Sequence, residues 1–76
     1  MSIDKIIEKM KQSQDNVSFD DLVKVCNDKF TGGRIAGSHH IYKIPGVITP
    51  INIQDDGHGK AKSYQVRQVL KLLGEL

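Results

Sequence analysis

Seventy-six residues with a formal charge of +2 make one small domain with a modest core, since a chain of ~60 residues buries only about 60% of the surface its unfolded form exposes. No apolar run approaches the ~20 residues that cross a bilayer, and the opening MSIDKIIEKMK carries charges through its apolar pattern and lacks a signal-peptide core. With Cys26 as the single cysteine and no disulfide to form, the expectation is a soluble protein of a reducing, intracellular compartment.

Ile3, Ile6, Ile7 and Met10 recur at the spacing of one helix face, with Ser2 as N-cap. The pattern fades at Gln12-Ser13-Gln14-Asp15-Asn16, and so short a helix must dock on something to persist. Ser18 caps a second helix, with Asp21 at its third position and Val17 and Leu22 placed as a hydrophobic staple. Phe19, Leu22, Val23, Cys26 and Phe30 form its apolar stripe, which makes Cys26 a packed structural residue. Thr31-Gly32-Gly33 is expected to end that helix through a left-handed glycine cap.

Three short antiparallel strands follow, near 33–36, 38–44 and 49–54, with turns at Gly37-Ser38 and Pro45-Gly46. Ile51-Asn52-Ile53-Gln54 alternates with its isoleucines inward. A last helix runs from about Ser63 to Leu73 on Val66, Val69, Leu70 and Leu73, with Gly74 beyond it as C-cap. The order helix, helix, three strands, helix predicts an α+β fold with helices on one face of a small antiparallel sheet.

The chemistry concentrates at His39-His40. Adjacent strand residues point to opposite faces, so one ring meets the core and the other the outside. No metal-ligand spacing is present among the three histidines and one cysteine. Asp55 and Asp56 read as a solvated turn, and Gly57-His58-Gly59 is too short for a phosphate-cradling loop. Charge is uneven: from Gly32 on, Asp55, Asp56 and Glu75 face Arg34, Lys43, Lys60, Lys62, Arg67 and Lys71. A basic surface draws polyanions. A histidine that takes protons near neutral pH can activate the 2′-hydroxyl of RNA, and nearby lysines can steady the phosphorane charge.

The string Gly37-Ser38-His39-His40-Ile41-Tyr42-Lys43-Ile44-Pro45 resembles the HicA family, small RNA-cleaving toxins of bacterial and archaeal toxin–antitoxin pairs. In that family Gly-Ser-His is followed by an aromatic residue and a nearby proline, places filled here by Tyr42 and Pro45. Lys60-Ala61-Lys62-Ser63-Tyr64-Gln65-Val66-Arg67-Gln68-Val69-Leu70 is similar to the family's basic turn and C-terminal helix, and the likeness runs from about Ser18 to Leu73.

The resemblance implies a fold like double-stranded-RNA-binding domains: helix, three-stranded antiparallel sheet, helix. It implies a cytoplasmic, stress-response endoribonuclease that cleaves mRNA without metal or cofactor. A HicB-like antitoxin would neutralise it, DNA would be reached only through that antitoxin, and no membrane is involved. The family's catalytic histidine maps to His39 as general acid or base, leaving His40 supporting or structural. Ser38, Lys43, Lys60 and Lys62 are the expected RNA-binding residues, aided by the N-terminus of the last helix.

Two features depart from the family. Residues 1–17 form an extra N-terminal helix and linker ahead of the HicA-like domain at 18–76, the whole expected as one compact unit. The loop Asp55 to Lys60 sets two acids beside the expected RNA surface, and its His58 reads as an exposed turn residue. The rival readings are a non-catalytic RNA-binding module on the same fold and a pure interaction domain.

Overall fold

Helix α1 (Ile3–Gln12) starts where Ser2 Oγ accepts the Lys5 N–H at 3.3 Å, in a computed structural model that describes residues 2–76. Its Ile6, Ile7 and Met10 are buried against α2 (Phe19–Lys29) and α3 (Ser63–Leu72). A ten-residue helix is marginal alone, but burying three such side chains at about 1.5–3 kcal/mol each makes it part of the core. The extra helix thus covers apolar surface of the elements that follow it.

Helix α2 opens on Ser18, whose Oγ accepts the Asp21 N–H at 3.1 Å, with Asp20 and Asp21 in its first turn suiting the helix dipole. Phe19, Leu22, Val25 and Cys26 are buried, whereas Val23 is half-buried. The expected stripe is therefore rotated toward Val25, because α2 is packed by both α1 and the first strand. The expected glycine cap is also corrected. Phe30 ends the helix in extended conformation (φ −117°, ψ 173°) and the chain enters β1 (Thr31–Ala36) at once. Gly32 uses its positive φ of 68° inside that strand, where the register with β2 (His39–Lys43) shifts between Thr31 and Arg34.

The sheet has the order β1-β2-β3, with β3 at Ile51–Gln54 and both pairings antiparallel. Strand β3 starts one residue after Pro50, which has no N–H to give a ladder. Cross-strand partners share a face, so the register sorts the side chains. Ile35, His40 and Ile53 form one row on the face toward the helices, with Ile35 at its edge left exposed, and Tyr42 and Ile51 form the next. Tyr42 is buried and donates its hydroxyl to Asn27 Oδ1 on α2 at 2.8 Å. Gly33 makes room for that ring, since a Cβ there would lie 2.9 Å from Tyr42 Cε1. The opposite face presents Ala36, His39 and Gln54 in one row and Arg34, Ile41 and Asn52 in the next, with no helix over it.

Helix α3 ends in a Schellman motif: Gly74, at φ +76°, donates to Lys71 O at 3.1 Å and Glu75 N–H donates to Leu70 O at 2.8 Å. At its other end Gln65 is buried and turned to the free edge of β3. Its Oε1 accepts the Gln54 N–H at 3.0 Å, and its Nε2 donates to the Asn52 carbonyl at 3.0 Å. This side chain completes the ladder of an edge strand as a neighbouring strand would. The fold is α+β with the element order expected from the sequence. Among the described residues no helix is long and apolar enough to cross a membrane.

Candidate functional site

The open face of the sheet carries no acidic side chain in its Arg34, Ala36, His39, Ile41, Lys43, Asn52 and Gln54 positions. His39 is half-buried there, at the end of the sheet where β2 begins and β3 ends. Its Nδ1 lies 2.9 Å from Asn52 Oδ1, one step diagonally along β3. With the carboxamide oxygen turned to the ring, this contact pairs with the tautomer that has its proton on Nδ1 and its lone pair on Nε2. Gln54, directly opposite His39, donates from Nε2 to Ser38 Oγ at 3.2 Å and closes the turn against the strand. The Ser38 hydroxyl proton is left free to donate elsewhere.

His40 takes the other face. Its ring meets Phe19 edge-on, with centroids 5.1 Å apart and planes at 77°, an arrangement suited to the ring quadrupoles. The two histidines part as strand alternation requires, His39 outward and His40 toward α2. Ile41 stands between Arg34 and Asn52 on the open face, half-buried by its neighbours, and forms an apolar floor beside His39.

The cations are spread. Lys43 shares the His39 face but is four residues further along β2, about 13 Å at ~3.3 Å per residue. Its stem lies across Gly32, whose Cβ, if present, would be 3.6 Å from Lys43 Cγ and Cδ. Lys43 therefore reaches a different point of any bound polyanion from His39. Arg34 is nearer: it lies diagonal to His39 across β1 and β2, at about 7–8 Å between backbones. Neither cation is held in an ion pair by the described residues. Only the β1–β2 register brings Arg34 beside His39, so nothing local in the sequence marks it.

Lys60 and Lys62 belong to the strand-like return before α3, where Ser18 pairs with Lys60 and Asp55 with Ala61. Phe19 N–H donates to Gly59 O at 3.0 Å and Ala61 N–H to Val17 O at 2.9 Å. These contacts bring the N-termini of α2 and α3 together beneath the His39 end of the sheet. The Lys60 ammonium donates to Asn16 Oδ1 at 2.7 Å, so it braces the linker between α1 and α2. Lys62 is the N-cap residue of α3 and gives it no side-chain cap, and no acid lies in the first turn. That helix end keeps its positive character.

The loop after β3 is braced by its own carboxylates. Asp55 Oδ1 accepts from Gly57 N–H at 2.7 Å and Gly59 N–H at 2.9 Å. Asp56 Oδ1 accepts from His58 N–H at 2.8 Å and Lys60 N–H at 3.2 Å. The hydrogen bond from His58 N–H, ahead of that from Lys60, holds the Asp56 carboxyl below its ordinary range. Both acids are turn residues, as expected, and His58 is exposed in the same turn. A cleft of about 200 Å³ opens elsewhere, between α1 and the linker among Met10, Asn16 and Val17, and holds no histidine.

Comparison of the chain with family models, with curated proteins and with solved structures returned no match.

Proposed function

We propose that this chain is a metal-independent endoribonuclease of the HicA toxin type, acting on mRNA in the cytoplasm and held in check by a HicB-like antitoxin. The observation that carries the reading is the His39 imidazole on an open, acid-free sheet face, with Nδ1 2.9 Å from Asn52 Oδ1; in this reading Nε2 is the base. The Gly37-Ser38-His39 string and the Lys60 to Leu70 segment supply the family half of the argument.

In the proposed reaction His39 Nε2 takes the proton of a ribose 2′-hydroxyl. The 2′-oxygen forms a bond to the adjacent phosphorus, and the bond from phosphorus to the 5′-oxygen breaks. The leaving oxygen takes up a proton, from the imidazolium or from water. The products carry a 2′,3′-cyclic phosphate and a 5′-hydroxyl. A placed base of this kind contributes about 10²–10⁴-fold. Arg34, beside His39, is the cation best set to meet charge on the scissile phosphate. Ser38 offers a hydroxyl at the same turn, Lys43 holds a phosphate further along β2, and Lys62 does so at the N-terminus of α3. Lys60 joins them only on releasing Asn16.

Incubation of an RNA oligonucleotide with the purified protein in the presence of a chelator tests the reading. Shortened RNA with 2′,3′-cyclic ends is the expected result. RNA that is bound yet stays intact overturns the enzyme and leaves a non-catalytic RNA-binding module on this fold.

A further inference from the structure

We infer that Asn52 is the positioning residue of this site, selecting the ring nitrogen with which His39 acts. The kinetic half of this inference rests on the ribonuclease reading; the structural half does not. Free imidazole favours the form with its proton on Nε2, which would put the lone pair on Nδ1, toward Asn52. The Asn52 carboxamide oxygen at 2.9 Å, turned to the ring, reverses that preference, because an acceptor there pairs with a proton on Nδ1.

The oxygen is itself held in place. Gln65 of α3 takes the Asn52 carbonyl and the Gln54 N–H, at 3.0 Å each, and so pins the β3 backbone on both sides of Ile53. Gln54 in turn bonds Ser38 at 3.2 Å, fixing the residue before His39. A chain of contacts therefore runs from the buried Gln65, through the β3 backbone, to the Asn52 side chain and then to the imidazole. Supporting groups of this kind set which nitrogen of a histidine is available and where it points. Asn52 is exposed, and its strand position asks for no packing from it, so the hydrogen bond to His39 is what this carboxamide does.

The test reads the tautomer directly, by long-range ¹H–¹⁵N correlation of the full chain at a pH where the ring is neutral. The wild type should show His39 protonated on Nδ1. Asn52→Leu should move it to the Nε2-protonated form, and Asn52→Asp, which keeps an acceptor in the same place, should retain the wild-type form. In RNA cleavage, Asn52→Leu should lower kcat on the order of 10- to 100-fold, a share of the ~10²–10⁴-fold a placed base supplies, with KM little changed. Asn52→Asp should recover part of that loss. An Nε2-protonated His39 in the wild type, or a tautomer unmoved in Asn52→Leu, overturns the assignment. If the wild type shows the Nδ1-protonated ring but cleaves no RNA, the ribonuclease reading fails while the positioning role of Asn52 stands.

Discussion

Replacing Gln65 by leucine removes the two hydrogen bonds that tie α3 to the free edge of β3 and leaves the volume nearly unchanged. A hydrogen bond in a protein is worth about 1 kcal/mol net, and a peptide group sealed from water without a partner costs about 1–3 kcal/mol. Asn52 is exposed and Gln54 half-buried, so water reaches these groups in part. Two bonds then give about 2–3 kcal/mol of destabilisation, against a total of about 5–15 kcal/mol for a natural domain. At ~4–8 °C per kcal/mol for a domain of this size, the Tm should fall by about 10–20 °C. Thermal unfolding followed by circular dichroism measures it. Gln68→Leu, on the exposed side of the same helix, is the control and should stay within about 0.5 kcal/mol of wild type. The Gln54 amide should also lose its protection from hydrogen exchange in Gln65→Leu alone. A Gln65→Leu protein as stable as the Gln68→Leu control, with Gln54 still protected, would refute the role given to this side chain.

Two other outcomes follow from the packing and the charge. Burial pushes the Cys26 thiol up to about 12, so it stays protonated and inert to alkylation in the folded chain near neutral pH. An unfolded thiol ionises near ~8.5. The folded-state value is the higher, so the stabilisation is complete below the unfolded value and is lost as pH rises from about 9 toward 12, at up to ~1.4 kcal/mol per unit. Urea unfolding at pH 8 and pH 10 should show that decline, and Cys26→Ala should lessen it. Lys43→Ala should weaken RNA binding and reduce the slope of log affinity against log salt by about 0.7, the share of one phosphate contact on a single strand; an unchanged slope would remove Lys43 from the interface.

Local signals foretold much of this molecule. Ser2, Ser18 and Gly74 each act at a helix end as their residue types suggest, and alternation through Ile51-Asn52-Ile53-Gln54 set the inward face of β3. The misreadings arose where two elements meet. Gly32 looked like a helix cap because Gly after an apolar stripe commonly is one. Its positive φ instead serves a bulge that exists only once β1 is paired with β2. Val25 is buried where the single stripe predicts Val23, because α2 is covered on two sides. At the candidate site, alternation said that His39 and His40 must part, and the structure places His40 against Phe19 and His39 outward. In the sequence Arg34 is one basic residue among several, Asn52 an outward strand position and Gln65 part of the last helix, none of them marked as a neighbour of the site. Asn52 and Arg34 gain meaning from cross-strand register, and Gln65 from the closeness of α3 to a strand edge, and neither is a local property of the chain.

The most direct measurement compares His39→Ala with His40→Ala in cleavage of a defined RNA, with circular dichroism to confirm that both variants fold. His39→Ala should be folded and inactive, since it lacks the base but no core contact. His40→Ala should lose stability through its contact with Phe19 yet keep cleaving below its Tm. A His39→Ala protein that cleaves at the wild-type rate would contradict the proposed chemistry.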